Sequence, residues 1–306
     1  MCRVWEGGAE GLSLGEVEAL LSRAGELSWA DVTGGEIFLR PDAEELLALF
    51  VGKCPRLAVL HFPTNGWFPD RVLSAAKRLA GKGSPTLLVT VSLDGPREVH
   101  DAIRGARGAY DRALETFARL REVGGCRVSL GLTLSEANLG RVEETVEAVR
   151  KTIPAFSPRE LHVNLPNRSP HYYRNAGDSL PGAEALLAAV RTVRRIQGLP
   201  TGAVSFAERR LLSLAERYLA TGRTPIPCTA LRSTCFVGAD GTVRPCVTWD
   251  RPLGNLRDTG HDLAAILASP EAEAARRDIA AGRCPHCWTA CEAVPSLLAR
   301  WGRGAA

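Results

Sequence analysis

The stretch Thr33-Gly34-Gly35-Glu36-Ile37-Phe38-Leu39-Arg40-Pro41-Asp42 follows a short apolar run, Leu27 to Val32, and its reading decides the fold. Two adjacent glycines free the backbone to take positive φ and let a ligand approach closely, while Glu36 sets a carboxylate beside bare amides. A small ligand that carries an ammonium group suits such a spot. A Gly-Gly at a strand end is also ordinary turn chemistry, so the weight falls on whether the rest of the chain repeats the pattern.

The run at Leu27 to Val32 is the first of five strand-like segments, followed by Leu57 to Phe62, Thr86 to Val91, Arg127 to Leu134 and Glu160 to Leu165. Amphipathic stretches of helix length stand between them, at Asp70 to Leu79, Tyr110 to Val123 and Leu139 to Val149. Alternation of this kind implies right-handed crossovers and a parallel sheet, either doubly wound or curled into a barrel. Ligands then gather at the carboxyl ends of the strands. Each strand is followed there by a polar, Gly-bearing or Pro-bearing segment: Gly34-Gly35-Glu36, Pro63-Thr64-Asn65-Gly66, Ser92-Leu93-Asp94-Gly95-Pro96, Ser135-Glu136-Ala137-Asn138 and Pro166-Asn167-Arg168-Ser169. Turn chemistry accounts for many of these residues taken singly.

Upstream, Ser13-Leu14-Gly15-Glu16 reads as a capping box that opens a helix with Val17, Leu20 and Leu21 at helical spacing. Beyond Pro166 the periodicity turns helical, over Leu180 to Ile196 and Phe206 to Leu219. The loop His171-Tyr172-Tyr173-Arg174-Asn175 lies where a substrate would be covered, which makes Asn164 and Tyr173 candidate substrate contacts.

A chain of 306 residues with 45% apolar and 24% charged content has room for one large barrel and a smaller appendage. The net charge of +4 is spread along the chain with acids interleaved, as in Arg141-Val142-Glu143-Glu144, which reads as a solvated surface and argues against nucleic-acid binding. Met1 to Leu14 carries no apolar signal core and no long apolar run follows, so a cytoplasmic protein with no membrane partner is expected.

Six of the nine cysteines crowd toward the end of the chain, at Cys228, Cys235, Cys246, Cys284, Cys287 and Cys291. An odd total in a reducing compartment points to metal or cluster ligation rather than to disulfides. Cys54 and Cys126 adjoin apolar strands and read as inert thiols. Cys228 and Cys246 flank a strand, an Asp240-Gly241 turn and a second strand, so a hairpin brings them together. Cys284-Pro285-His286-Cys287 offers two thiolates from one tight turn. Zinc and an iron–sulfur cluster both accept four thiolates.

The segments TGGEIFLRPD, TNG, SLDGPREVHDAIRG and TLSEANL, in this order over the first half of the chain, resemble the radical SAM superfamily. That resemblance implies an α/β protein built on a partial (β/α)6 TIM-type barrel. It further implies that Gly34, Gly35 and Glu36 hold the amino group of S-adenosylmethionine, that Ser92 and Asp94 hold its ribose or amino-acid end, and that Arg104 lies near its carboxylate. CTALRSTCFVGADGTVRPCVTWDRPLGNLRDT followed by CPHCWTAC resembles the SPASM type of auxiliary-cluster extension in its shortened twitch form, through the Gly241-x4-Cys246 spacing and Pro252 to Leu256. By that resemblance Cys228, Cys246, Cys284 and Cys287 ligate an auxiliary [4Fe–4S] cluster, with Cys235 and Cys291 as alternative ligands. The implied domains are a barrel over 1–200, a helical bridge over 201–227 and a small Cys-rich α+β extension over 228–306.

The reactive [4Fe–4S] cluster of that superfamily is held by Cys-x3-Cys-x2-Cys. Here Cys2, with Trp5 nearby, matches the third of those positions, so the expectation is a chain that starts inside the motif and lacks the first barrel strand. The activity implied is reductive cleavage of S-adenosylmethionine to a 5′-deoxyadenosyl radical that abstracts hydrogen from a C–H bond, with electrons from a flavodoxin- or ferredoxin-like reductant. The auxiliary cluster would assist oxidation or modification of a peptide or small-molecule substrate. The rival reading is a non-catalytic scaffold that binds zinc or a cluster through its last cysteines.

Overall fold

In the computed structural model residues 11–81 and 83–301 are described. Cys2 and Trp5 lie outside them. The chain forms two compact units, one of Ala24–Asn164 with Ala188–Ser205, the other of Leu165–Leu187 with Phe206–Ala306 and the chain up to Arg23.

Helix α1 (Leu14–Leu21) opens as its sequence demands. Glu16 Oε2 accepts from the Ser13 amide at 2.9 Å, and the Glu16 amide donates to Ser13 Oγ at 3.3 Å, which satisfies two end donors reciprocally.

The first unit is a parallel sheet of β1 (Trp29–Asp31), β2 (Val59–Thr64), β3 (Thr86–Ser92), β4 (Cys126–Thr133) and β5 (Leu161–Asn164), in the order β1-β2-β3-β4-β5. The order lacks the reversal that defines a doubly wound sheet, so right-handed crossovers all fall on one face. Crossing segments include α2 (Ala43–Lys53), α3 (Pro69–Leu79), α4 (Arg97–Arg104), α5 (Ala109–Arg121) and α6 (Val142–Thr152).

Period-two alternation divides the sheet into two faces. Leu60, Phe62 and Thr64 stand in register with Leu87, Val89 and Val91, and all six are buried. Phe62 meets Phe38 edge to face at 5.6 Å. Gly66, at φ 75°, lets α5 close on this face, since a Cβ there would lie 2.8 Å from Ala113 Cα and 3.2 Å from Val91 Cγ1. The alternate residues His61, Thr90, Ser92 and Ser129 are half-buried.

Two elements differ from the sequence expectation. The helix expected from Leu139 starts at Val142, because Asn138 first closes a turn by accepting the Ser135 amide on Oδ1 at 2.8 Å. SLDGPREVHDAIRG, read only as a motif, contains α4, which Gly105 ends in the left-handed conformation at φ 63°.

Helices α7 (Ala183–Gln197) and α8 (Ala203–Thr221) each pass from one unit to the other along the chain. In the second unit β6 (Phe236–Val237), β7 (Thr242–Arg244) and β8 (Gly254–Asn255) make a small antiparallel sheet, followed by α9 (Leu263–Leu267), α10 (Pro270–Ala280) and α11 (Ala290–Trp301). The Asp240-Gly241 turn forms as its sequence predicts, with Gly241 at φ 81°. Buried Trp288 fastens to α8 by donating from Nε1 to the Leu211 carbonyl at 2.9 Å. Among the described residues no helix is long and apolar enough to cross a membrane.

Candidate functional site

Each unit carries one candidate site, and each is built from its own residues. In the sheet unit the site lies at the carboxyl ends of the strands. Glu36 is held there by donors of its own chain: Oε2 accepts from the Asn65 amide at 2.6 Å, Oε1 from the Phe38 amide at 3.1 Å, and Thr64 Oγ1 lies 3.0 Å from Oε2. Burial pushes the Glu36 carboxyl up, against the opposing pull of these amides and of the Arg104 charge. Gly34 does not take positive φ; open space stands where its Cβ would be, so its use here is clearance for a close neighbour.

Asp94 is 1% exposed and faces the protein. Its Oδ2 forms an ion pair with Arg104 Nη2 at 2.7 Å, its Oδ1 accepts from the Thr133 amide at 3.2 Å, and its own amide donates to His100 Nδ1 at 3.0 Å. Burial lowers His100 to about 4, so this imidazole is neutral and serves as an acceptor. The fully buried Asn138 joins two rim loops by donating from Nδ2 to the carbonyls of Asp94 at 2.8 Å and Thr133 at 2.9 Å. Arg104 Nε is buried with no hydrogen-bond partner. A guanidinium with one face paired to Asp94 and a buried donor unspent fits an anionic group, and the clearance at Gly34 beside Glu36 fits a compact cationic one.

Below this rim a polar chain crosses four strands on the half-buried face. Asp31 Oδ1 lies 2.8 Å from His61 Nδ1, His61 Nε2 lies 2.9 Å from Thr90 Oγ1, and Thr90 Oγ1 lies 3.2 Å from Ser129 Oγ. The carboxylate fixes the tautomer with the proton on Nδ1, so Nε2 accepts the Thr90 hydroxyl. Gly131 pins the threonine, since a Cβ there would lie 2.5 Å from Thr90 Cγ2. Ser92 ends β3 on the same face, in register with Gly131. Asn164 closes β5, where its Oδ1 lies 3.2 Å from His162 Nε2. The Asp31–His61 pair is marked in the sequence by no motif, and His100 stands inside SLDGPREVHDAIRG without being singled out there.

In the second unit the wall of one small open cavity brings together Cys228, Cys246, Cys284 and Cys287. Its wall also includes His286 and Glu292. Cys246 follows β7, and the Cys284 to Cys287 turn closes because His286 takes the left-handed conformation at φ 51°. Burial pushes the Cys228 and Cys246 thiols up to about 12, with the Glu292 charge adding to the shift, and it raises Cys287 as well. Without a cation these thiols keep their protons; a bound cation would make them thiolates. Among the described residues no three His, Cys, Asp or Glu side chains converge as tightly as one metal ion requires.

Cys235 and Cys291 do not line the cavity, although burial pushes Cys235 up to about 11. Cys54 is buried with its thiol raised, and Cys126 is pushed up to about 11, both by burial alone, as inert thiols should be. Tyr173 lies tilted against Tyr172 at 4.8 Å, and the Tyr172 ring meets Phe236 at 5.3 Å. Glu292 is the residue that sequence reading missed: nothing in Thr-Ala-Cys-Glu-Ala marks a carboxyl turned toward thiols.

A parallel α/β unit with ligand-ready strand ends, joined in sequence to a four-thiol cavity, defines the class. Residues 228–288 match the profile of the SPASM iron–sulfur cluster-binding domain. The chain is 31% identical over 121 residues to the antilisterial bacteriocin subtilosin biosynthesis protein AlbA of Bacillus subtilis, covering 39% of this chain and 25% of that protein. It is 38% identical over 107 residues to the Fe-coproporphyrin III synthase of Methanosarcina barkeri, covering 35% of this chain and 25% of that protein. It is 26% identical over 239 residues to the sporulation killing factor maturation protein SkfB of Bacillus subtilis, covering 78% of this chain and 52% of that protein. The chain thus spans a quarter to about half the length of these relatives. The fold matches native anSMEcpe with bound AdoMet and Cp18Cys peptide at a TM-score of 0.54 and 17% identity, covering 90% of this chain and 78% of that one. The stretch 228–288 is thus SPASM-like, and the chain is similar in sequence to AlbA and SkfB and in fold to anSMEcpe.

Proposed function

We propose that this chain supplies the S-adenosylmethionine site and the auxiliary cluster site of a radical SAM enzyme that modifies a peptide. The observation that carries the reading is the set of four cysteines, from a hairpin and a distant turn, on the wall of one cavity inside the SPASM-matched stretch. Thiols spread round a cavity suit a multi-iron cluster better than a single zinc ion, which needs its four ligands drawn close. This weighs against the rival reading of a zinc-binding scaffold. A peptide is favoured over a small molecule because AlbA and SkfB are named for bacteriocin biosynthesis and killing-factor maturation, and the matched anSMEcpe structure holds a peptide.

Bound S-adenosylmethionine and iron–sulfur clusters would supply radical chemistry, with electrons from a flavodoxin- or ferredoxin-like protein. The chain's own share is placement. Glu36 and Gly34 would receive the ammonium end of the cofactor, Ser92 its ribose side, and Arg104 its carboxylate, with Asp94 acting on the cofactor only through Arg104. Asn164 and Tyr173 remain the proposed substrate contacts. The sheet unit is read as a partial TIM-type barrel, with the division at 1–200, 201–227 and 228–306 as its functional partition. Anaerobic reconstitution with iron and sulfide tests the cluster: about four of each per chain are expected, and loss in Cys246→Ala. Uptake of one zinc with no sulfide would favour the scaffold.

A further inference from the structure

Glu292 is 6% exposed, lies in the first turn of α11, and shares the cavity wall with Cys228, Cys246, Cys284 and Cys287. Its Oε2 is fixed by the Thr234 hydroxyl, which donates at 2.8 Å. Among the described residues no Lys, Arg or His lies within ion-pair distance of it. A buried carboxyl with no countercharge is costly, and buried charges are ordinarily either paired or bound to metal. The countercharge absent from the protein is the one an iron would bring. The position lies beyond residue 288, where the SPASM match ends, so the domain's pattern does not account for it.

We propose that Glu292 is an oxygen ligand of the iron–sulfur cluster this cavity holds, a fifth donor beside the four thiolates. The proposal rests on the cluster reading given above. Its geometry comes from the wall that Glu292 shares with the thiols and from the hydroxyl that orients it. Its charge raises the thiols of Cys228, Cys246 and Cys287, as it does that of Cys235 off the wall.

The test is Mössbauer spectroscopy of the full chain after anaerobic reconstitution with 57Fe and sulfide, wild type against Glu292→Gln. The amide keeps the shape and the Thr234 hydrogen bond but removes the anionic oxygen. With four thiolates left, the variant is expected to retain its iron and sulfide. About a quarter of the iron in the wild type should show the larger isomer shift of oxygen ligation, and that component should vanish in the variant. Uniform thiolate-type iron in the wild type overturns the proposal even if the variant misfolds, as does a component that survives in Glu292→Gln. If the wild type takes up no sulfide, the cluster reading itself fails and takes the proposal with it.

Discussion

Arg104 Nη2 lies 2.7 Å from Asp94 Oδ2, which ties α4 to the segment just after β3. Asp94 is buried and Arg104 is partly open, so the carboxylate belongs to the frame and the guanidinium to the surface of the site. The charge of Arg104 also acts on Glu36, opposing the burial that raises its carboxyl. Asp94→Ala removes the buried half of this pair and leaves the partly open Arg104 without its partner, which should cost about 1 to 3 kcal/mol, the range for a buried group left unsatisfied. Urea unfolding should show that loss, while Arg104→Gln should lower S-adenosylmethionine affinity about tenfold in calorimetry, an effect of about 1.4 kcal/mol. Unchanged affinity in Arg104→Gln would remove Arg104 from the cofactor site.

Glu292 makes the stability of the unloaded chain depend on pH. Burial pushes its carboxyl from 4.5 up to about 7. An acid whose folded value lies above its unfolded value binds its proton more tightly when folded. The stability gained is therefore full below about pH 4.5 and is lost as pH rises through about 7, by roughly 3 kcal/mol at most. Denaturant midpoints taken across that window should fall with rising pH in the wild type. In Glu292→Gln this part of the slope should be absent.

Loading the cysteine cavity should release protons. Cys228 and Cys246 sit near 12 by burial, so at neutral pH each enters as a thiol and leaves as a thiolate. A pH-stat titration during anaerobic loading with iron and sulfide should record more protons than the same mixture releases without protein, at least two per chain from Cys228 and Cys246. Cys235→Ser should not change that number, since its thiol is not on the wall. A count that falls in Cys235→Ser would place that residue among the ligands.

The strand ends and the four cysteines were legible because turn residues, period-two alternation and Cys spacing are local signals. The outcome for Asp94 was not. Its partners Arg104 and Thr133 are ten and thirty-nine positions away, and only the packing of α4 decides that its carboxylate turns inward. Helix α4 was hidden for a related reason: few of its side chains are apolar, and of these only Val99 is buried. The choice between a doubly wound sheet and a singly wound one rested on strand order, which alternation does not encode. Glu292 escaped because an acid in the first turn of a helix is ordinary at the sequence level. Its burial against thiols is a tertiary fact.

The chain from Asp31 through His61 and Thr90 to Ser129 gives a prediction independent of any cofactor. A methyl added at position 131 would meet Thr90 Cγ2 at 2.5 Å, with both residues on rigid, hydrogen-bonded neighbouring strands. Gly131→Ala must therefore push Thr90 off His61, at about 1 to 3 kcal/mol for an overpacked site. Thr90→Val keeps the shape and loses only the hydroxyl, which should cost about 1 kcal/mol. In both variants the His61 Nε2 resonance in 15N spectra should shift as its donor is lost, while Nδ1 stays protonated against Asp31. Thr90→Ser should restore the Nε2 shift, because the hydroxyl returns without the methyl that Gly131 accommodates. If the Nε2 resonance is the same in Thr90→Val as in the wild type, the threonine is not its donor and the four-residue chain ends at His61.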